Sequence, residues 1–302
     1  MVDILLATYN GDKYLKEQIE SIILQTEQNW RLLIHDDGST DGTVEIIECF
    51  AEKDERIIFI NDGIKGLGAA RNFIHLLQFS DADFLMFCDQ DDIWLDNKAA
   101  VMLDAIKKKN NKIPQAVFSN AYLWNETQGI ISNKNTLTYP RRLEELLFLN
   151  SGIQGAASIF NKKTKKLMLK PLEHYAMHDH VLVLSAMIFG EVDYVDLPLL
   201  YYRQHTENIT GNAPGSLKNK LLMMKKNTDI PIVDKNHSDG LKAFYKAYGE
   251  EISSDKKQII ETFLEMPKKS AMKRTALIIK HRFKLFNSTS LLLLKTCMRK
   301  FS

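Results

Sequence analysis

An α/β fold is predicted for the first two thirds of this 302-residue chain: an open, Rossmann-like, mostly parallel sheet with helices on both faces, followed by a helical C-terminal region. Three observations predict it. Short β-rich apolar runs alternate with stretches whose apolar residues recur at helical spacing. The run Phe84-Leu85-Met86-Phe87-Cys88 is short and apolar throughout, as strands buried on both faces are. Beyond Gly211 the pattern is only helical, with Pro214-Gly215 and Pro231 as breakers. The expected division is an α/β domain over residues 1–210 and a helical, basic region over 211–302.

In chain order, strands are expected at residues 2–8, 30–35, 57–61 and 84–88, and helices at 13–26, 43–52, 69–79 and 96–107. This is βαβ repetition, which lines up strand carboxyl ends along the edge where open α/β sheets bind ligands. A second block has strands near 116–123, 157–161, 192–195 and 199–203, with helices at 141–149 and 177–189.

Composition narrows the class. The cysteines at 49, 88 and 297 have no paired spacing, so disulfides and structural zinc are not expected and a reducing compartment is. The N-terminus has no basic n-region, and no uncharged run approaches the ~18 residues of a membrane span, so a cytoplasmic protein is expected. The formal charge of +2 conceals an asymmetry: from Pro267 onward there are ten Lys or Arg and no Asp or Glu. Apolar residues are interleaved with these cations. That pattern fits either a solvated helical cover or peripheral attachment to anionic inner-leaflet lipid. No nucleic-acid recognition motif accompanies the charge, so nucleic acid is not an expected partner.

The segment Cys88-Asp89-Gln90-Asp91-Asp92-Ile93-Trp94 sets three carboxylates and an amide at the end of a buried strand. Two like charges ~4 Å apart repel by roughly 4 kcal/mol at an effective dielectric of ~20. A hard divalent cation, with a substrate diphosphate as its other ligand, relieves that repulsion. Capping the following helix needs fewer acids than stand here.

Other strand ends carry polar turns. Ala7-Thr8-Tyr9-Asn10-Gly11 reads by itself as a strand-to-helix turn. In His35-Asp36-Asp37-Gly38-Ser39-Thr40-Asp41-Gly42 one residue must cap the next helix, which leaves Asp37 free to accept a hydrogen bond from a nucleobase or ribose. Gly66-Leu67-Gly68-Ala69-Ala70-Arg71 lacks the third glycine of a dinucleotide fingerprint and follows the third strand, so a nicotinamide or flavin enzyme is not expected. Its glycines suit a tight turn, after which Arg71-Asn72 face a ligand or solvent. His174, His178, Asp179 and His180 match no zinc spacing; Asp179 is read as a helix cap, a general base, or both. His205, next to Arg203, suits a loop that covers a ligand.

Taken in order, Ala7-Thr8-Tyr9-Asn10-Gly11, Asp36-Asp37-Gly38-Ser39-Thr40-Asp41, Gly68-Ala69-Ala70-Arg71-Asn72, Asp89-Gln90-Asp91-Asp92 and His178-Asp179 resemble a family 2 glycosyltransferase with the GT-A fold, across residues 1–210. The resemblance implies an inverting transferase that uses a nucleotide-sugar donor and Mn²⁺ or Mg²⁺. It implies donor contacts from Thr8, Tyr9, Asn10, Asp37, Arg71, Asp89 and Gln90, metal contacts from Asp91 and His205, and Asp179 as the catalytic base. His178 stands where many members have Glu. The fuller strings ending in Ile93-Trp94 and in Arg203-Gln204-His205 resemble a bacterial subset that builds surface polysaccharides, many using dTDP-L-rhamnose. A glycan acceptor carried on a lipid is the implied partner. UDP-hexose donors are the alternative within the same chemistry. A non-catalytic sugar-nucleotide-binding module and a sugar nucleotidyltransferase are the alternatives outside it; the first has no need of a base, and the second needs a Gly-rich basic loop after the first strand.

Overall fold

The structure, a computed structural model, describes residues 1–149, 153–204 and 231–301. Its elements begin with β1 (Val2–Thr8), α1 (Asp12–Ile23), β2 (Trp30–Asp36), α2 (Thr43–Ala51), β3 (Ile57–Phe59), α3 (Ala69–Leu76), β4 (Phe84–Cys88), β5 (Ile93–Trp94) and α4 (Lys98–Lys107). There follow β6 (Gln115–Asn125), β7 (Gly129–Ser132), α5 (Leu143–Leu146), β8 (Ser158–Asn161), α6 (Lys162–Met168), α7 (His178–Phe189) and β9 (Glu191–Arg203). The last described stretch holds α8 (Lys235–Tyr248), α9 (Ser254–Glu265), α10 (Ala271–Lys280) and α11 (Thr289–Met298).

The strands form one sheet in the order β3-β2-β1-β4-β8-β6-β9-β5, with β7 paired to β6. The β1–β2, β2–β3 and β1–β4 pairs are parallel, as the βαβ pattern requires. The sheet then becomes mixed, because β8 enters antiparallel between β4 and β6. Side chains alternate across the sheet. On one face Ile4, Leu6, Met86 and Cys88 join Leu15, Ile19 and Ile22 of α1 and Ala99, Met102, Leu103 and Ile106 of α4 in one buried cluster. On the other, Phe87 meets Phe73 of α3, Phe160 of β8 and His178 of α7 at centroid distances of 5.2, 4.8 and 4.7 Å.

Two expectations change. The strands read separately at 192–195 and 199–203 are the single strand β9, which runs through Pro198. Proline has no N–H to donate, and the β6–β9 register shifts on either side of the Asn120–Pro198 pair, so irregular pairing absorbs the proline. The helix expected at 141–149 is the single turn α5.

The chain divides into two compact units. The first comprises Met1–Thr136, Ile153–Pro171 and Met177–Ile209, and contains the sheet. The second comprises Leu137–Gly152, Leu172–Ala176 and Thr210–Ser302, so it recruits two short segments from before residue 210. Its core explains why: Phe148, fully buried, packs edge-on against Phe263, Phe283 and Phe301 at 5.1, 5.5 and 5.9 Å. Lys284 also ties its backbone N–H to Glu144 O and its ammonium to Glu145.

The turn from α7 into β9 tests the packing. A Cβ on Gly190 would lie 1.8 Å from the Pro114 carbonyl oxygen, which accepts the Glu191 N–H that starts the β6–β9 pairing. Gly190→Ala is therefore expected to lose about 1–3 kcal/mol in urea denaturation, as overpacked sites do. An unchanged midpoint would contradict this placement of the turn.

Candidate active site

Parallel pairing brings the carboxyl ends of β1, β2 and β4 side by side, and their turns are stitched to one another. Thr8 Oγ1 donates to Asp36 Oδ2 at 2.9 Å. The Asn10 N–H donates to Ser39 Oγ at 2.8 Å, and Asn10 Oδ1 accepts the Thr40 N–H at 2.9 Å. Asn10 itself takes φ of 47°, a conformation Asn tolerates better than most residues. Asp36 accepts the N–H groups of Gly38 and Ser39 at 3.0 and 2.7 Å, so it builds its own turn.

Gln90 faces that turn. Its Oε1 accepts the Tyr9 N–H at 2.9 Å and its Nε2 donates to Tyr9 O at 3.0 Å. Any Cβ at position 11 would sit 2.5 Å from Gln90 Oε1, which gives Gly11 its reason. The amide read from sequence as a donor contact thus splices the β4 end to the β1 turn. Tyr9 remains 56% exposed and presents its ring outward.

Asp37 has both carboxylate oxygens engaged, accepting the N–H groups of Leu67 and Gly68 at 2.7 Å each. Those amides converge because Gly66 and Gly68 adopt φ of 73° and 75°, open to glycine at no steric cost. The tight turn expected there is present. Arg71 is exposed on the first turn of α3. Asn72 faces neither ligand nor solvent: it is buried, and its Oδ1 lies 2.7 Å from His35 Nδ1.

The acidic segment emerges from β4, whose five residues are all buried. Asp89 keeps some solvent exposure, yet protein atoms enclose its carboxyl. Burial raises its pKa, and the charges of Asp91 and Asp179 raise it further. Asp179, in the first turn of α7, is therefore brought into electrostatic reach of the β4 acids from 90 residues away in sequence. Asp92 differs: it is 1% exposed, burial pushes its pKa well up, and it points inward to accept the Arg203 N–H at 3.1 Å.

Two cations missed in the sequence hold this cluster. Arg203, 2% exposed, donates from Nε to the Asp91 carbonyl at 2.8 Å. It pairs with Glu126 and Glu17 at 2.7 and 2.5 Å, and lies over the rings of Tyr14 and Trp124. Lys98, fully buried, donates to Ala156 O and sits 3.5 Å over the Trp94 ring. Burial lowers its pKa, while the neighbouring Asp92 and Asp89 carboxylates oppose that. A signal for Lys98 existed, since it shares a helical face with Met102 and Ile106.

Among the described residues, neither His174 nor His178 belongs to a cluster of metal-ligating side chains. His178 stacks on Phe73 at 3.8 Å, its ring nitrogens have no hydrogen bond, and burial lowers its pKa to about 3. His174 belongs to the second unit, hydrogen-bonded to Asn236 Oδ1 at 2.7 Å. His205 lies outside the described residues.

A family model described as Glycosyl transferase family 2 matches residues 3–167. The dTDP-rhamnosyl transferase RfbG of Shigella flexneri is 30% identical over 237 residues, covering 74% of this chain and 79% of that protein. The UDP-Glc:alpha-D-GlcNAc-diphosphoundecaprenol beta-1,3-glucosyltransferase WfgD of Escherichia coli is 28% identical, with 72% and 83% covered. S. aureus TarS in complex with UDP-GlcNAc matches with a TM-score of 0.55 at 15% identity over 98% of this chain and 88% of that one. This chain spans 43% of a longer TarS structure. Mannosyltransferase PcManGT from Pyrobaculum calidifontis, in complex with GDP-Man and Mn2+, matches with a TM-score of 0.53 at 12% identity, with 98% and 79% covered. The structural matches carry the fold and the sequence matches carry the family: the chain belongs to glycosyltransferase family 2, and is a glycosyltransferase of GT-A fold with a helical C-terminal region.

Proposed function

We propose that this glycosyltransferase is inverting and cation-dependent, and moves L-rhamnose from dTDP-L-rhamnose to a hydroxyl of a growing, lipid-linked surface polysaccharide. The observation that carries the chemistry is the convergence of Asp89, Asp91 and Asp179: burial raises the Asp89 pKa and the charges of the other two raise it further. The donor sugar rests on the likeness to RfbG. A UDP-hexose donor is the second reading, favoured by the likeness to WfgD.

Carboxylates that repel one another at the carboxyl edge of a sheet suit Mn²⁺ or Mg²⁺, which take oxygen ligands. Asp91 would hold the ion, with His205 as a further ligand, and the bound ion would supply charge to a departing diphosphate. The residues of the chain do the rest. Asp37, fixed by two amides, offers its remaining lone pairs to the base. Thr8, Tyr9, Asn10 and Arg71 line the nucleotide, Asp89 receives the ribose, and Gln90 positions the Tyr9 turn. Asp179 accepts the proton of the acceptor hydroxyl as that oxygen attacks the anomeric carbon. One displacement inverts that centre.

The second unit suits attachment to an anionic bilayer. In the cation-rich stretch from Pro267 onward, Met272, Ile279 and Leu294 are 84%, 57% and 46% exposed. Among the described residues no helix is long and apolar enough to cross a membrane. Apolar side chains entering the headgroup region, with each nearby Lys or Arg adding ~1 kcal/mol, would bring the site to a lipid-borne acceptor.

Three measurements check these readings. In a product assay with dTDP-rhamnose, UDP-glucose and GDP-mannose, Asp179→Asn should lower kcat by ~10²–10⁴ while leaving donor binding intact. Asp91→Asn should lose the cation-dependent part of donor binding; full turnover by both variants would refute the assignment. The pH dependence has a definite sign. Asp89 has a folded pKa of about 7, above its unfolded value, so its stabilising contribution is complete at acid pH and lost as pH rises through about 7. Asp89→Asn should therefore gain stability relative to wild type over that window, and Mn²⁺ should shrink the gain; a pH-independent difference would contradict this. For the membrane, the full chain should float with anionic but not neutral liposomes at low salt, and Met272→Asp with Ile279→Asp should abolish flotation. Undiminished flotation of the double variant would refute this face.

A further inference from the structure

A second convergence lies away from the acidic cluster, between β2, the loop after β3, and α3. His35, 1% exposed, has its Nδ1 2.7 Å from Asn72 Oδ1. The Asn72 amide nitrogen is committed to the carbonyls of His35 and Thr8 at 3.3 and 3.5 Å, so Oδ1 is the face turned to His35. That contact turns His35 Nδ1 toward Asn72 and leaves Nε2 facing Asp62 Oδ1, 3.4 Å away. That distance exceeds the ~2.7–3.2 Å of an ordinary N–H···O bond, and both atoms are of the kinds that ligate metals. His75 Nε2 reaches the other oxygen of Asp62 at 2.7 Å. One ligand atom from each residue lies within 4.8 Å of the others.

We propose that His35, Asp62 and His75 form a site for a transition-metal ion of the Zn²⁺ type, separate from the cation site of the acidic cluster. Two imidazoles and one carboxylate match zinc chemistry, whereas Mg²⁺ prefers oxygen alone. Two ligands on one tetrahedral zinc stand ~3.4 Å apart for bonds of ~2.0–2.1 Å, the spacing already present between His35 and Asp62. The supporting contacts are in place as well. Asn72 fixes the His35 ring, and the Ile64 N–H donates to Asp62 Oδ1 at 3.0 Å. His75 Nδ1 has the Gln78 amide 3.5 Å away, and turning that amide lets it accept Nδ1–H once Nε2 binds metal. His35 and Asp62 also line a cavity of about 110 Å³, with room for a water as fourth ligand. The ion would pin the loop after β3, whose Leu67 and Gly68 amides hold Asp37, onto the sheet.

The test uses the full chain after chelator treatment, with Co²⁺ as a spectroscopic probe and Zn²⁺ in thermal denaturation. Wild type and Asp91→Asn should both develop the intense visible bands of a tetrahedral Co²⁺ site with a single equivalent and gain Tm with Zn²⁺. Asp62→Asn and His75→Ala, each shown by circular dichroism to be folded without metal, should bind Co²⁺ more than about tenfold more weakly and gain no Tm. Absence of the bands in wild type overturns the proposal. Persistence of the bands in both variants, or their loss in Asp91→Asn alone, also overturns it.

Discussion

Like charges confined to one sheet edge are the constraint on which the rest of this molecule depends. β4 is buried along its whole length, so Asp89, Asp91 and Asp92 emerge where the chain cannot spread them apart. The fold manages the repulsion unequally. Asp92 turns inward to the Arg203 backbone, and the Lys98 charge partly offsets the rise in the Asp92 and Asp89 pKa values. Burial raises the Asp89 pKa, and the charges of Asp91 and Asp179 raise it further.

Much of the surrounding structure serves to keep that edge rigid. The turns after β1, β2 and β3 are bonded to one another as well as within themselves. Gln90 holds Tyr9, Ser39 holds Asn10, Thr43 holds the Gly11 amide, and Asp37 holds the glycine turn. Displacing one turn therefore disturbs its neighbour, a preorganised arrangement of the kind that binding a charged donor favours.

The parallel half of the fold was legible in the sequence because continuous apolar runs such as those of β1 and β4 have few alternatives. The mixed half was less so. Pro198 reads as a strand break, and only the partner strand β6 reveals how the register accommodates it. Asp89, Asp91 and Asp179 were visible as motifs, but their proximity is a tertiary fact. The backbone contacts of Gln90 and Asn72 were not legible because an amide beside a motif gives no sign of whether it faces a ligand or the backbone. His35, Asp62 and His75 follow no local spacing, since strand, loop and helix each supply one. Arg203 was legible as the end of a strand, but its hold on the Asp91 carbonyl is a tertiary contact that no local pattern announces.

On the reading proposed above, the acidic edge binds a divalent cation together with a nucleoside diphosphate. Titrating Mn²⁺ by electron paramagnetic resonance, with and without dTDP or UDP, on wild type, Asp91→Asn and Asp62→Asn tests it most directly. The account predicts that the nucleotide tightens one Mn²⁺ site in wild type and in Asp62→Asn, and that Asp91→Asn abolishes it. Mn²⁺ binding indifferent to both the nucleotide and Asp91 would contradict it.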